Sequence, residues 1–416
     1  MCTINDIKPI KIELEGDYWD SQIYKGRLYL WKIDGSLIVI DWEKLIADLI
    51  RENDKGYSLT MESAFMNSDN LYSNKELATM LSLLNYKNEF KSDLDELSKK
   101  EFVFSEKKLA VYIINEFENP FKDIPTDIDI YYDTFYSLLD SGLWKIKFDS
   151  AGNEIFSESK VTKLWDCPLL ALKIRSGGRI GLAGGNEGVF EYDVFPKTYL
   201  GNSNELKKIQ DDIVKISDCQ SLFINWSYSS IYNSSDITES SLLAFEGNKD
   251  SNKLNYIGNI SQKEIFNSEE KTYLSWANDD KIYRITSSGV DMIRFTQSKL
   301  KEGSYKEAFW NKQTFDIKHS DGKTAICAGV GLFGNVIEYE NGLLIMQSNN
   351  EFFDIKGPIT RWRMFPRSVR YENQLHVVLD EKLEIYSFNS DYFIDQEEKV
   401  FGSKRYFNKK RGNEWG

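Results

Sequence analysis

The stretch 169–194, LLALKIRSGGRIGLAGGNEGVFEYDV, constrains the fold more than any other part of the chain. Two groups, Ser176-Gly177-Gly178 and Gly184-Gly185-Asn186-Glu187-Gly188, supply backbone that reaches positive φ without a Cβ clash. Between and after them, 179–183 and 189–192 are short β-favouring runs. Three short strands joined by two tight turns make an antiparallel meander. Variants of it recur along the chain, and we read it as the repeating unit of an all-β protein.

The first copy is 22–42, where QIYKGRLYLWKIDGSLIVIDW alternates in strand period around a Lys25-Gly26 turn and an Asp34-Gly35 turn. Others are 129–148, with Asp140-Ser141-Gly142 as its second turn, and 272–295, with turns at Asn278-Asp279-Asp280 and Ser287-Ser288-Gly289. A weaker unit is 220–245. The run 335–355 contains Asn341-Gly342, a strong short hairpin signal, and 368–388 is the last unit. This rhythm of strand, Lys-Gly turn, strand, Asp-Gly turn and strand resembles the blades of quinoprotein-like and Kelch-type β-propellers. The resemblance implies a mainly β fold, an irregular β-propeller of six to eight blades, with seven candidate units. A two-sheet sandwich or two stacked β domains is the competing architecture. Propeller closure commonly pairs the two chain ends, and 9–14 with 400–406 are the segments suited to it.

Between 43 and 102 the strand rhythm stops. Ser73 with Glu76 makes a capping box, and Leu77, Met80, Leu81 and Leu84 follow at helical spacing as one apolar stripe. Leu45, Ile46, Leu49 and Ile50 indicate an earlier helical turn, and Leu94 and Leu97 a later one. The expected division is 1–42 as N-terminal strands and first blade, 43–104 as a small helical insertion, and 105–416 as the remaining blades with a basic tail. The stripe either packs on the β body or offers a groove to a partner.

Composition narrows the function. The aromatic load of 25 Phe, 23 Tyr and 10 Trp suits broad sheet faces. A net charge of −13 repels anionic membranes and disfavours RNA as a partner. The acidic first 20 residues do not read as a signal peptide, and Cys2, Cys167, Cys219 and Cys327 lack CxxC spacing. A soluble cytoplasmic protein with reduced thiols is expected.

Several catalytic and cofactor patterns fail on context. Gly329-Val330-Gly331-Leu332-Phe333-Gly334 matches GxGxxG with Asp354 beyond it, but a dinucleotide site needs a helix to follow, and 335–339 is β-patterned. Gly322-Lys323-Thr324 lacks the first glycine of a phosphate loop, because Ile317 stands there. The two histidines, His319 and His376, have no partner at metal spacing, and no nucleophile elbow is present. No metal, nucleotide or other cofactor is expected. Asp17, Asp20, Asp129, Asp166 and Asp279 fall near strand starts or turns, where acids from different blades could converge for acid/base work.

The segment 361–370 is the most distinctive charged feature. Arg361, Arg363, Arg367 and Arg370 alternate with Trp362 and Phe365, and no acid lies among them. Guanidinium forks clamp carboxylates or phosphates, and the aromatics add stacking area. The alternative reading is that these arginines face neighbouring Asp and Glu on an outer strand. Lys404, Arg405, Lys409, Lys410 and Arg411 form a second basic run. The sequence therefore points to a non-catalytic protein-interaction module, a scaffold or regulatory subunit of an assembly. Its expected partner-binding residues are Arg361, Trp362, Arg363, Phe365, Arg367, Arg370, Lys409, Lys410 and Arg411. A propeller hydrolase acting on a carbohydrate or small ester is the alternative, and an RNA-binding accessory factor using the basic C-terminal region is the second.

Overall fold

The computed structural model describes residues 7–53, 55–148, 161–175, 178–194, 206–210, 216–223, 226–232, 238–247, 254–278, 280–296, 298–299, 305–317, 325–395 and 399–403. Among them are seven sheets, six of four strands that hydrogen-bond in sequence order and one of five that combines strands from both ends of the chain's order. The fold is mainly β, a series of propeller-type blades. Each of the seven sequence units falls in a different sheet. The chain divides into two compact units, Met1–Ile124 with Val330–Gly416, and Pro125–Gly329.

In the first unit the opening strand β1 (Ile10–Glu15) belongs to the last sheet. The first blade is built from β2 (Tyr18–Tyr24), β3 (Arg27–Lys32), β4 (Leu37–Asp41) and, after the helices, β6 (Ile113–Phe117). The β2–β3 turn uses Lys25 and Gly26, both at positive φ. Leu28, Leu30, Ile38 and Ile40 are buried in one core cluster.

The helical insertion thus lies between the third and fourth strands of the first blade. It runs through α1 (Trp42–Glu52), α2 (Ser58–Phe65), α3 (Asn70–Ser73), α4 (Lys75–Ser82), α5 (Leu84–Ser98) and the short strand β5 (Phe102–Phe104). The Asp41 carboxylate caps α1 by accepting from the Lys44 amide at 3.0 Å. One face of α1, including Trp42, Leu45, Ile46, Leu49 and Ile50, is buried, and the Trp42 indole donates to the Phe65 carbonyl at 2.7 Å. The N-cap of α4 is Asn74, not Ser73: its side-chain oxygen accepts from the amides of Glu76 and Leu77 at 3.0 and 3.2 Å. Ser73 ends the preceding helix, where its hydroxyl donates to the Asp69 carbonyl.

The last sheet comprises Arg361–Met364, Gln374–Leu379, Lys382–Ser387, β1 and β5. β1 runs antiparallel to Lys382–Ser387 and parallel to β5. The expected closing segment 400–406 is not the partner of β1; residues 401–403 are outside any strand and 404–406 lie outside the described residues. The register sets Glu13 opposite Glu384, a like-charge pair that would repel by itself. Lys11 and Lys382 each reach both carboxylates at 2.9–3.1 Å and so cancel that repulsion. Burial alone would raise the Glu384 pKa, but hydrogen bonds from Tyr386, Lys11 and Lys382 outweigh it and hold the carboxyl below its usual range.

The second unit holds the second to fifth sheets, spanning 127–165, 171–210, 216–261 and 274–315. The glycine-rich stretch 169–194 contains the strands Ala171–Arg175, Arg179–Ala183 and Val189–Asp193. In the fifth sheet Arg284 and Asp291 face each other across a strand pair as a fully buried ion pair at 2.9 Å. Thr314 donates to the same carboxylate at 2.6 Å.

A sequence signature recurs in three sheets: Asp140-Ser141-Gly142, Ser287-Ser288-Gly289 and Glu340-Asn341-Gly342. In each, the first two residues form the turn and glycine begins the next strand, paired with Leu139, Thr286 and Tyr339 respectively. These glycines have φ of 120°, 124° and 145°, and a Cβ would lie 2.0–2.2 Å from the carbonyl oxygen of Trp165, Phe315 or Ile355 on the adjoining chain segment. The glycine is required by backbone approach, because that oxygen cannot move without breaking the sheet. Gly342→Ala should therefore lower unfolding free energy by about 1–3 kcal/mol, read from urea denaturation with unchanged m-value; an unaltered midpoint would show that the outer strand gives way freely.

Candidate interaction surface

The arginine segment is organised by the strand Arg361–Met364, which pairs with Gln374–Leu379. Arg363 reaches across to β2 of the first blade, where its Nε and Nη2 donate to the two oxygens of Asp20 at 2.9 and 2.6 Å. This is a two-point fork on a carboxylate that is 1% exposed. Arg361 lies 4.0 Å from the same carboxylate and stacks over the Trp19 ring at 5.3 Å. Trp362 points the other way, its indole N–H donating to Glu338 at 2.7 Å. Arg370 donates to Glu43 at 2.6 Å and to the Met66 carbonyl at 3.3 Å, joining the last blade to the insertion. Arg367 is half-buried. Arg361, Arg363 and Arg370 thus engage acids of the same chain. Lys409, Lys410 and Arg411 lie outside the described residues, as do Lys404 and Arg405.

Below this strand is a buried polar row. His376 sits directly opposite Arg363 in the sheet, with Phe365 packed edge-on against its ring at 4.7 Å. Gln374 donates through Nε2 to the Phe65 carbonyl, which leaves its Oε1 facing His376 Nε2 at 3.2 Å. Nε2 therefore carries the proton, and Nδ1 accepts from the Ser21 hydroxyl at 3.0 Å. Burial pushes the His376 pKa down to about 3, so the ring is neutral. Ser21 donates to the histidine as a nucleophile would, but both side chains are fully buried and the other ring nitrogen faces the Gln374 amide instead of a carboxylate, so the pair lacks the substrate access and the charged orienting partner of a nucleophilic triad.

The candidate carboxylates have separate local duties. Asp20 answers Arg363, Asp129 accepts from the Ile130 amide at 2.8 Å, and Asp166 pairs with Lys163. Asp17 is exposed, and Asp279 lies outside the described residues. Among the described residues no three His, Cys, Asp or Glu gather as metal ligands. The glycines of Gly329–Gly334 belong to the hairpin between strands Ala325–Gly331 and Gly334–Tyr339, so no helix opens there. His319 and Gly322-Lys323-Thr324 lie outside the described residues.

The surface that the sequence only half revealed is the α4–α5 junction. Of the predicted stripe, Leu81 alone is fully buried; Leu77 and Met80 are half-buried and Leu84 is exposed. The cause is a break at Leu83, whose extended backbone (ψ 129°) ends α4 and starts α5 on a new axis. Leu83, Leu84 and Tyr86 stand 56%, 63% and 47% exposed, next to a groove of about 480 Å³ lined by Lys75, Glu76, Thr79, Met80 and Leu83. The period-3.6 stripe signalled the helix; the unbroken spacing concealed the bend that turns its end outward.

No protein-family model matches the chain, and a search of curated proteins returns no match. Among solved structures it is similar to the β-propeller domain of Cps50 (Swd1) from Myceliophteria thermophila, with 5% identity over 90% of this chain and 97% of that one and a TM-score of 0.49. It is also similar to the computationally designed Ika8 protein, at 8% identity over 92% and 100%, TM-score 0.43. A third is PorZ of Porphyromonas gingivalis, a bacterial surface component of the type-IX secretion system, at 12% identity over 89% and 46%, TM-score 0.43.

Two outcomes follow from the polar row. Arg363→Met should strand the buried Asp20 charge and destabilise the protein by about 3–5 kcal/mol, whereas the double change with Asp20→Leu should recover much of that loss. Equal loss in single and double variants would refute the clamp. His376 binds its proton more weakly folded than unfolded, so its contribution is complete above pH 6.5 and declines as pH falls toward 3. At pH 5 the deficit should be about 2 kcal/mol, measured as the difference in pH dependence between the native chain and His376→Gln; parallel curves would exclude it.

Proposed function

We propose that the chain is a non-catalytic protein-interaction module whose partner docks on the helical insertion. The observation that supports this is the exposed apolar group Leu83, Leu84 and Tyr86 beside the α4 groove. Exposed apolar residues that cluster at one bend, on an element anchored underneath, favour a macromolecular contact over a solvated face. The complementary ligand is an amphipathic helix or strand of another protein, presenting apolar side chains to the groove. Lys409, Lys410 and Arg411 are a second proposed contact, suited to acidic residues on that partner. We assign Arg361, Arg363 and Arg370 to holding the blades rather than the partner, because their guanidiniums answer Asp20 and Glu43.

The hydrolase alternative would need uncommitted acids, and Asp20 is not one. The half-buried cysteines Cys167 and Cys327 suit a reducing, cytoplasmic setting. No helix among the described residues is long and apolar enough to cross a membrane.

The test is affinity purification of the full chain from its host beside Leu83→Asp with Leu84→Asp. A partner recovered stoichiometrically by the first and lost by the second, at equal melting temperature, is the expected result. Undiminished recovery by the double variant would move the interface away from α4 and α5.

A further inference from the structure

The junction between the insertion and the last blade encloses a cavity of about 10 Å³, lined among others by Ser63, Tyr72, Leu332, Asn373, Asn389 and Asp391. Three buried oxygens of its wall, Asn373 Oδ1, Ser63 Oγ and Asp391 Oδ1, make no hydrogen bond within the protein, and of these only Asp391 has an ion pair, with Lys399. Asn373 is 3% exposed and its Nδ2 is directed at the Ala64 carbonyl (3.2 Å), Ser387 Oγ (3.0 Å) and Asn389 Oδ1 (3.1 Å). Those acceptors fix the amide orientation, and the Asn373 Oδ1 finds no protein donor. The Ser63 hydroxyl, 1% exposed on α2, also has no protein partner. Two orphaned buried groups lining one cavity would each cost about 1–3 kcal/mol if left unsatisfied.

We propose that this cavity is a binding site for one structural water, which donates to Asn373 Oδ1 and bonds the Ser63 hydroxyl, tying α2 to the last blade. The volume matches about one water, and two to four polar partners are what such a water requires. A cation is the poorer fit. The one acid in the wall, Asp391, already pairs with the buried Lys399, and its other oxygen accepts from Tyr72 at 3.0 Å. The Lys399 ammonium also donates to the carbonyls of Leu332 and Ser403 at 2.7 Å each. Local negative charge is thereby matched, and the remaining need is for a neutral hydrogen-bond donor.

The experiment is a crystal structure of the full chain showing ordered solvent, collected natively and after a rubidium soak, with Ser63→Ala treated alongside. A single peak within hydrogen-bond distance of Asn373 Oδ1 and Ser63 Oγ, without rubidium anomalous signal and weakened in Ser63→Ala, is expected. Three results would overturn the site: no native peak, rubidium at that position, or the Ser63 hydroxyl bonded directly to Asn373 Oδ1. Should Ser63→Ala fail to crystallise, the native and rubidium data decide by themselves.

Discussion

An unpaired sheet edge exposes a row of amide and carbonyl groups that must find partners, and the last blade meets this constraint by recruiting β1. Its three local strands are completed by one from the start of the chain, and β1 is covered in turn by β5. Lys11 and Glu384, 373 residues apart in sequence, become direct neighbours. The helical insertion is drawn into the same pairing, because β5 is its closing segment. The shared core follows: Ile10, Leu45, Phe65, Leu94 and Ile385 belong to one buried cluster. These long-range contacts close large loops, so β1 pairing should come late in folding and cooperatively with helix docking.

The interior of that unit shows how polar groups are accommodated without forming a reactive site. Asp20 would be prohibitive alone at 1% exposure, and Arg363 provides both charge and two aligned donors. His376 solves a similar problem by remaining neutral between Ser21 and Gln374. Ser, His and a nearby Asp invite a catalytic reading, yet burial and the choice of partners argue against it: the hydroxyl and the ring are closed off from solvent, the other ring nitrogen faces Gln374, and the carboxylate is bound to arginine. The same residue types serve as a joint between blades.

Much of the blade architecture was legible because it is local. Turn chemistry and strand period lie within about 20 residues, and each of the seven sequence units corresponds to one sheet. The helices were likewise visible through Leu45, Ile46, Leu49 and Ile50. Features that depend on distant partners were not. Nothing around 361–370 names Asp20 or Glu43 as the acids these arginines meet, and the pairing of β1 with Lys382–Ser387 instead of 400–406 is a tertiary choice between segments of similar character. The Asn74 cap was obscured by a better-known pattern at Ser73, although the Asn side chain, one residue later, reaches the amides of Glu76 and Leu77.

Placing the insertion between two hydrogen-bonded strands of one blade has a mechanical consequence. β4 and β6 are adjacent in the sheet, so the chain must leave and return within one strand spacing, and both ends of the helical segment are held. Its base is fastened further by Trp42 to the Phe65 carbonyl, Arg370 to Glu43, and Tyr72 to the Asp391–Lys399 pair. The α4–α5 bend comes after these attachments and before β5 rejoins the sheet. Fewer buried side chains secure it, with Leu81 the sole fully buried residue of α4 and Leu84 exposed. A rigid base with a protruding apolar bend loses little conformational freedom when a ligand covers it, whereas a mobile loop would have to be ordered first. This difference in ordering entropy is why anchoring at the base and exposure at the bend support the same functional reading.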